Sequence, residues 1–238
     1  MRINDQRVFV TGANRGIGRA FVSGFLDRGA HKVYAGVRNP DSVDPELRED
    51  PRVQIVRLDI TEPNQIAAAA EIAADVSVLV NNAGGVVFGP LLSGSLNDAR
   101  QLFETNVFGT WEMTRAFAPA LSASHGAMIN VLSAIAWFSP PQNGAYAATK
   151  SAAWSLTNGV REELASAGVL VQGLHFGAVD TDFAAGYDGP KISPEQVVRE
   201  SLNGLEGDAL EVLVGTDTHA VKAALIGHPN AYLEQLRP

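Results

Sequence analysis

One stretch restricts the fold of this chain more than any other. Arg7-Val8-Phe9-Val10-Thr11 runs straight into Gly12-Ala13-Asn14-Arg15-Gly16-Ile17-Gly18. The first five residues read as a short buried strand. Beyond the glycines, Ile17, Ala20, Phe21, Phe25 and Leu26 fall on one face of a helix. That helix stops at Arg28-Gly29, where glycine can take a left-handed cap. Strand, glycine turn and helix in this order cradle a phosphate: the turn brings backbone close to an anion, and the first helical amides face it. Gly12, Asn14, Arg15, Gly16, Ile17 and Gly18 are therefore candidate dinucleotide-binding residues. The G-x-x-x-G-x-G spacing differs from the common G-x-G-x-x-G. On this stretch alone, a tight strand–helix turn that binds nothing stays open.

The remainder repeats the pattern. Strands are expected at Lys32–Val37, Val53–Leu58, Val76–Val80, Ala127–Leu132, Val169–Phe176 and Glu211–Gly215. Helices are expected at Pro63–Ala74, from Ser95 to about Pro119, from Tyr146 to a cap at Gly168, over Ser193–Leu205, and from Thr218 onward. Residues 183–193, with Gly186, Gly189 and Pro190, show no clear period and read as a short mobile lid. No linker or repeat divides the chain. The expectation is one α/β domain over residues 1–238: a Rossmann-like, doubly wound, mainly parallel seven-stranded sheet with helices on both faces. A net charge of −8 with no basic run points away from nucleic acid. The absence of cysteine excludes thiol chemistry. Five histidines without ligand spacing predict no metal. No stretch reaches the ~20 apolar residues that span a bilayer, and the start lacks a secretory apolar region. A cytoplasmic location is expected.

Polar residues at the strand ends carry the chemistry. After the second strand, Arg38 stands where NAD-binding folds place an acid on the ribose diol. Arg38 and Arg15 can fork onto a 2′-phosphate, which favours NADP(H) over NAD(H); two solvated arginines are the plain alternative. Asp59 suits either an adenine amine or a helix N-cap. Asn81-Asn82-Ala83-Gly84-Gly85 is a small-residue turn on which a flat ligand can lie. Asn106 interrupts a helix and marks either a local irregularity or a solvent-facing position. Ser133 ends the fifth strand, 13 residues before Tyr146. Tyr146 and Lys150 lie one helical turn apart, where the ammonium is expected to favour phenolate and lower the phenol's pKa. In an open parallel sheet these strand ends line the ligand crevice.

Taken together, the chain resembles the short-chain dehydrogenases/reductases. Thr11–Gly18 matches their glycine motif, Asn81–Gly84 their N-N-A-G turn, and Asn106, Ser133, Tyr146 and Lys150 their tetrad. The resemblance spans nearly the whole chain. It implies reversible hydride transfer between NADP(H) and a carbonyl/alcohol pair. It also implies that Asp59 and Ile60 sit near adenine, that Asn82, Ala83 and Gly84 line the cofactor, and that Val179 and Thr181 meet the carboxamide. Asn106 would position a water linking Lys150 to solvent. One departure stands out: Phe176-Gly177 replaces the usual Pro-Gly. His175 beside it reads as a satisfied strand histidine. Val86, Phe88, Ile135, Trp137, Asn143, Phe176 and Phe183 are candidate substrate-pocket residues. Their apolar character favours a hydrophobic or aryl substrate. Relatives of this kind are commonly dimers or tetramers, and the small-residue helix 147–165 is the expected interface. A non-catalytic NADP(H) sensor on the same fold is the alternative.

Overall fold

The computed structural model describes residues 1–226. Seven strands form its sheet: β1 Arg7–Thr11, β2 Lys32–Val37, β3 Val53–Arg57, β4 Val78–Asn81, β5 Ala127–Val131, β6 Leu170–Phe176 and β7 Glu211–Val214. Their spatial order is β3-β2-β1-β4-β5-β6-β7, and every pairing is parallel. The chain winds outward from β1 to β3, then restarts beside β1 with β4. The crevice beyond the carboxyl ends of β1 and β4 is thus the switch point where such folds bind ligands.

Side-chain alternation explains why helices cover both faces. Val8 and Val10 of β1, with Val78, Val80, Ile129 and Leu174, meet Phe21 and Phe25 of α1 (Gly16–Asp27) and Val197, Val198 and Leu202 of α7 (Pro194–Glu206). Phe9, Leu79, Met128 and Val171 point the other way. They pack on Ile66 and Ala69 of α3 (Pro63–Ile72) and on Met113, Phe117 and Leu121 of α5 (Thr110–Ser124). The remaining helices are α2 (Pro45–Glu49), α4 (Leu96–Phe103), α6 (Gly144–Leu164) and α8 (Thr216–Ala224).

Most strand and helix ends fall within two residues of expectation, and larger differences gather in the later helices. The helix expected to stop near Pro119 runs on to Ser124 with Pro119 inside it. Phe117 and Leu121, four residues apart on one buried face, hold it against the sheet; tertiary burial outweighs the proline. The expected long helix is also not uniform: Glu104–Gly109 forms a π-helical turn between α4 and α5. The final helix starts at Thr216, ahead of Thr218, and its expected continuation past residue 226 lies outside the described residues. Helix α2 has no counterpart in the sequence reading. Asp44 caps it by accepting from Glu46 N–H at 2.9 Å.

Candidate active site

The glycine loop is built for close approach. Gly12 and Gly16 hold φ of 65° and 53°, values that favour glycine. A Cβ on Gly18 would collide with the Gly12 carbonyl oxygen and lie 2.6 Å from Asn82 Nδ2. Helix α1 begins without a side-chain cap and without an acid in its first turn. Its leading amides are left free for an anion. Such a cradle fits a pyrophosphate. Thr11 ties the loop to its neighbour strand. Its hydroxyl accepts from Asn82 N–H and Ala83 N–H, both at 2.9 Å, and donates to Val80 O. Asn82 Nδ2 returns the contact by donating to Thr11 O at 2.9 Å. Thr11 was not singled out as a positioning residue from sequence, although its place directly before the first glycine is the signal.

The Asn82–Gly85 turn is fixed from a second side by Asn106. Its Oδ1 accepts from Gly85 N–H at 2.8 Å, and its Nδ2 donates to Gly85 O and Thr149 Oγ1, both at 3.0 Å. Asn106 is buried in the π-helical turn, which settles its two readings in favour of an irregularity with a polar task. Both amide hydrogens are engaged, so the side chain works as a clamp between the turn and α6. Beneath it, Asn81 donates to Asn130, which donates to Thr157, both at 2.9 Å. Polar residues inside apolar strand runs were the overlooked sign of this buried chain.

Ser133 closes β5. Its hydroxyl donates to Phe176 O and accepts from Ile135 N–H, both at 3.3 Å. Tyr146 and Lys150 stand on the first turns of α6, with Lys150 Nζ 5.7 Å from the Tyr146 ring centre. Lys150 is buried and donates to Val131 O at 2.9 Å. Burial lowers its pKa to about 8. The expected depression of the Tyr146 pKa is not found: burial pushes the phenol well above its ordinary range. The ammonium is directed to the Val131 carbonyl, and desolvation dominates both groups. Tyr146 nonetheless keeps part of its surface open, with the Phe183 ring 5.9 Å away.

Other candidates divide. Arg38 is exposed at the end of β2 and, among the described residues, makes no ion pair or hydrogen bond. Arg15 does not stand free: it pairs with Asp182 at 2.7 Å across the loops. Asp59 is not the helix cap, since Glu62 holds that place; its carboxylate instead accepts from Thr61 N–H and Oγ1 at 3.0 and 2.8 Å. Ile60 is buried beside it. Thr181 touches the glycine loop, where a Cβ on Gly16 would lie 3.1 Å from its methyl group. Val179 is buried and bridges Ile192. Phe88 and Phe183 are exposed at 64% and 42%, and so can meet a ligand. Val86, Ile135 and Asn143 are partly exposed. Trp137 and Phe176 are buried, at 7% exposure each, close to the 8% of Ser133. Trp137 stacks on His175 at 4.2 Å, and Phe176 belongs to the core beneath α1 and α7. An open depression of about 430 Å³ lies along residues 180–193, lined by Asp180, Tyr187, Asp188 and Lys191. Neither Ser133 nor Tyr146 lines it, so it is separate from the chemistry.

Residues 6–189 match the family model described as short chain dehydrogenase. A short-chain dehydrogenase of Penicillium crustosum is 35% identical over 180 residues, covering 73% of this chain. This chain spans 66% of that relative, just under two thirds of its length. An uncharacterized oxidoreductase of Staphylococcus aureus is 30% identical over 214 residues, covering 85% of this chain and 92% of its own. Among solved structures, a short-chain dehydrogenase from Burkholderia cenocepacia in complex with NADP is 39% identical, with a TM-score of 0.94 and full coverage of both chains. A family member from Burkholderia phymatum in complex with NAD is 25% identical, with a TM-score of 0.85, covering 100% of this chain and 98% of its own. On sequence and on architecture alike, the chain belongs to the short-chain dehydrogenase family of oxidoreductases.

Proposed function

We propose that this chain interconverts a carbonyl and an alcohol with NADP(H), preferred over NAD(H), and that its substrates are apolar or aromatic. The observation that carries the reading is Lys150. A buried ammonium bonded to one carbonyl, with no carboxylate partner among the described residues, is costly for a fold to retain. Such a group, lying 5.7 Å from a phenol, has a clear use. Its positive charge on the same side of α6 would favour the phenolate left when the proton departs.

A bound nicotinamide nucleotide would supply or accept the hydride. Gly12, Asn14, Arg15, Gly16, Ile17 and Gly18 would hold its phosphates, with Asn82, Ala83, Gly84, Val179 and Thr181 along its length and Asp59 and Ile60 near the base. In reduction, Ser133 hydrogen-bonds the carbonyl oxygen. Tyr146 passes its proton to the forming alkoxide, and Lys150 stabilises the phenolate left behind. Asn106 keeps the Gly85 turn and α6 in register.

Three further points support the details. Exposed Arg38 makes no ion pair among the described residues, and the relative from Burkholderia cenocepacia was crystallised with NADP. Apolar groups flank the start of α6: Leu91 packs on Gly144, and Phe183 leans over Tyr146. Ala148, Ser151, Ser155 and Gly159 form an exposed small-residue stripe on α6, suited to a homodimer or homotetramer contact. Residues 183–193 serve as the lid over the single domain 1–238, acting in the cytoplasm. The test is a panel of aryl and aliphatic ketones, aldehydes and alcohols, run with both nucleotides and followed by absorbance. The expected result is carbonyl-dependent oxidation of NADPH, fastest with aryl or hydrophobic compounds. Tight NADPH binding without turnover across the panel would select the sensor instead.

A further inference from the structure

Behind Ser133, away from the open cleft, lies a cluster that the mechanism does not use. His175 on β6 is fully buried. Its Nδ1 lies 3.1 Å from the Ser133 carbonyl oxygen, which can only accept, so Nδ1 carries the proton. The ring stacks on Trp137 at 4.2 Å and 21°. Its Nε2 has no hydrogen-bond partner and lies 3.6 Å from Glu211 Oε1. Glu211 is claimed by others: Trp154 Nε1 donates to it at 3.2 Å and Lys222 Nζ at 2.9 Å. Lys222 in turn lies 4.6 Å from the Trp137 ring centre and 5.1 Å from that of Trp154. The expected satisfied histidine is thus satisfied on one side only. A buried polar atom left unpaired destabilises a fold, and a phenylalanine would stack on Trp137 without that loss.

We propose that His175 is a positioning residue for Ser133. Its Nδ1–H fixes the Ser133 carbonyl at the start of the 3₁₀ turn Ala134–Ala136, while the next residue, Phe176, accepts from the Ser133 hydroxyl. Both ends of the serine are thereby referenced to β6, the strand whose exit leads to Val179 and Thr181. The Trp137 stack holds the ring in the plane that aims Nδ1 at the carbonyl, and Lys222 and Glu211 close off the far side of that pair of rings. The inference rests on the carbonyl-reductase reading for its kinetic arm only.

The decisive pair is His175→Leu and His175→Asn. Leucine removes the donor; the asparagine amide nitrogen replaces Nδ1 at the same branch position, without the stack. A shift of about 1 Å in a reacting group costs on the order of 10²-fold. His175→Leu is expected to lower kcat by about that factor with KM for NADPH unchanged, and His175→Asn to recover most of it. Unchanged kcat in the leucine variant, or equal losses in both, would overturn the proposal. ¹⁵N NMR of the histidine rings in the unmodified protein gives a reading independent of turnover and of variant folding. One ring should be neutral with its proton on Nδ1; a proton on Nε2 would overturn the proposal. Should the protein reduce no carbonyl, the functional reading falls, and the NMR result still decides the role of His175.

Discussion

Lys150 shows at the level of one residue what a buried ammonium does to stability. Its side chain is 8% exposed, and its pKa in the folded chain, about 8, lies below the 10.5 of a free amine. Between those values the unfolded chain binds more protons than the folded one, so this residue's contribution to stability rises with pH across that window. At neutral pH the buried charge costs on the order of 3 kcal/mol. Lys150→Met should therefore raise the melting temperature of the nucleotide-free protein at pH 7, with the gain shrinking toward pH 10. A lower melting temperature at pH 7 would show that the Val131 contact outweighs desolvation. Arg38 is a second single-residue case. Arg38→Asp turns an attraction for a 2′-phosphate into a repulsion, and should reverse the ratio of kcat/KM for NADPH over NADH. An unchanged ratio would make Arg38 an ordinary solvated side chain. Residue types and spacing singled out Asn106, Ser133, Tyr146 and Lys150, and the fold sets Asn106 against Thr149 and Lys150 near the Tyr146 ring. They did not reveal the ionisation of Tyr146, because desolvation depends on what surrounds the phenol in three dimensions.

At the scale of elements, the strand–turn–helix unit and the Asn82–Gly85 turn form one interlocked piece. Thr11 joins them, Asn82 passes hydrogen bonds back, and Gly18 leaves the room both require. Gly18→Ala should weaken NADPH binding by more than about tenfold and destabilise the chain by about 1–3 kcal/mol, read by titration calorimetry and denaturant unfolding. Wild-type affinity in that variant would mean that the loop is not the cradle. Element type was legible wherever periodicity was strong. Boundaries were not legible where burial decides: Pro119 stays helical because Phe117 and Leu121 are held by the sheet, and α2 is too short to show a period. The pairing of Arg15 with Asp182 joins residues 167 apart, a relation that local pattern does not carry. Apolar side chains serve core and pocket alike, so residue type does not separate the two: Trp137 and Phe176 are buried while Phe88 and Phe183 are exposed.

For the whole molecule, the doubly wound sheet brings strand ends from all three thirds of the chain to one rim. The glycine loop after β1, the turn after β4, Ser133 after β5 and Thr181 after β6 meet there because all seven strands run parallel. That convergence was expected from sequence, because each polar motif follows an apolar strand. The small-residue stripe on α6 makes a separate prediction about assembly. A Cβ on Gly159 meets nothing within 4 Å, so Gly159→Arg should leave the protomer folded while breaking a helix–helix contact. Light scattering coupled to sizing should find a dimer or tetramer for the unmodified chain and a monomer for the variant. A monomer in both would remove α6 as an interface.

Proton transfer by Tyr146 is the claim on which the functional account rests. The most direct measurement compares kcat of Tyr146→Phe with that of the unmodified protein on a ketone it reduces, with NADPH affinity measured on both. The account predicts a loss of about 10²–10⁴ in kcat with nucleotide affinity within about threefold. Turnover in the variant equal to that of the unmodified protein would contradict it.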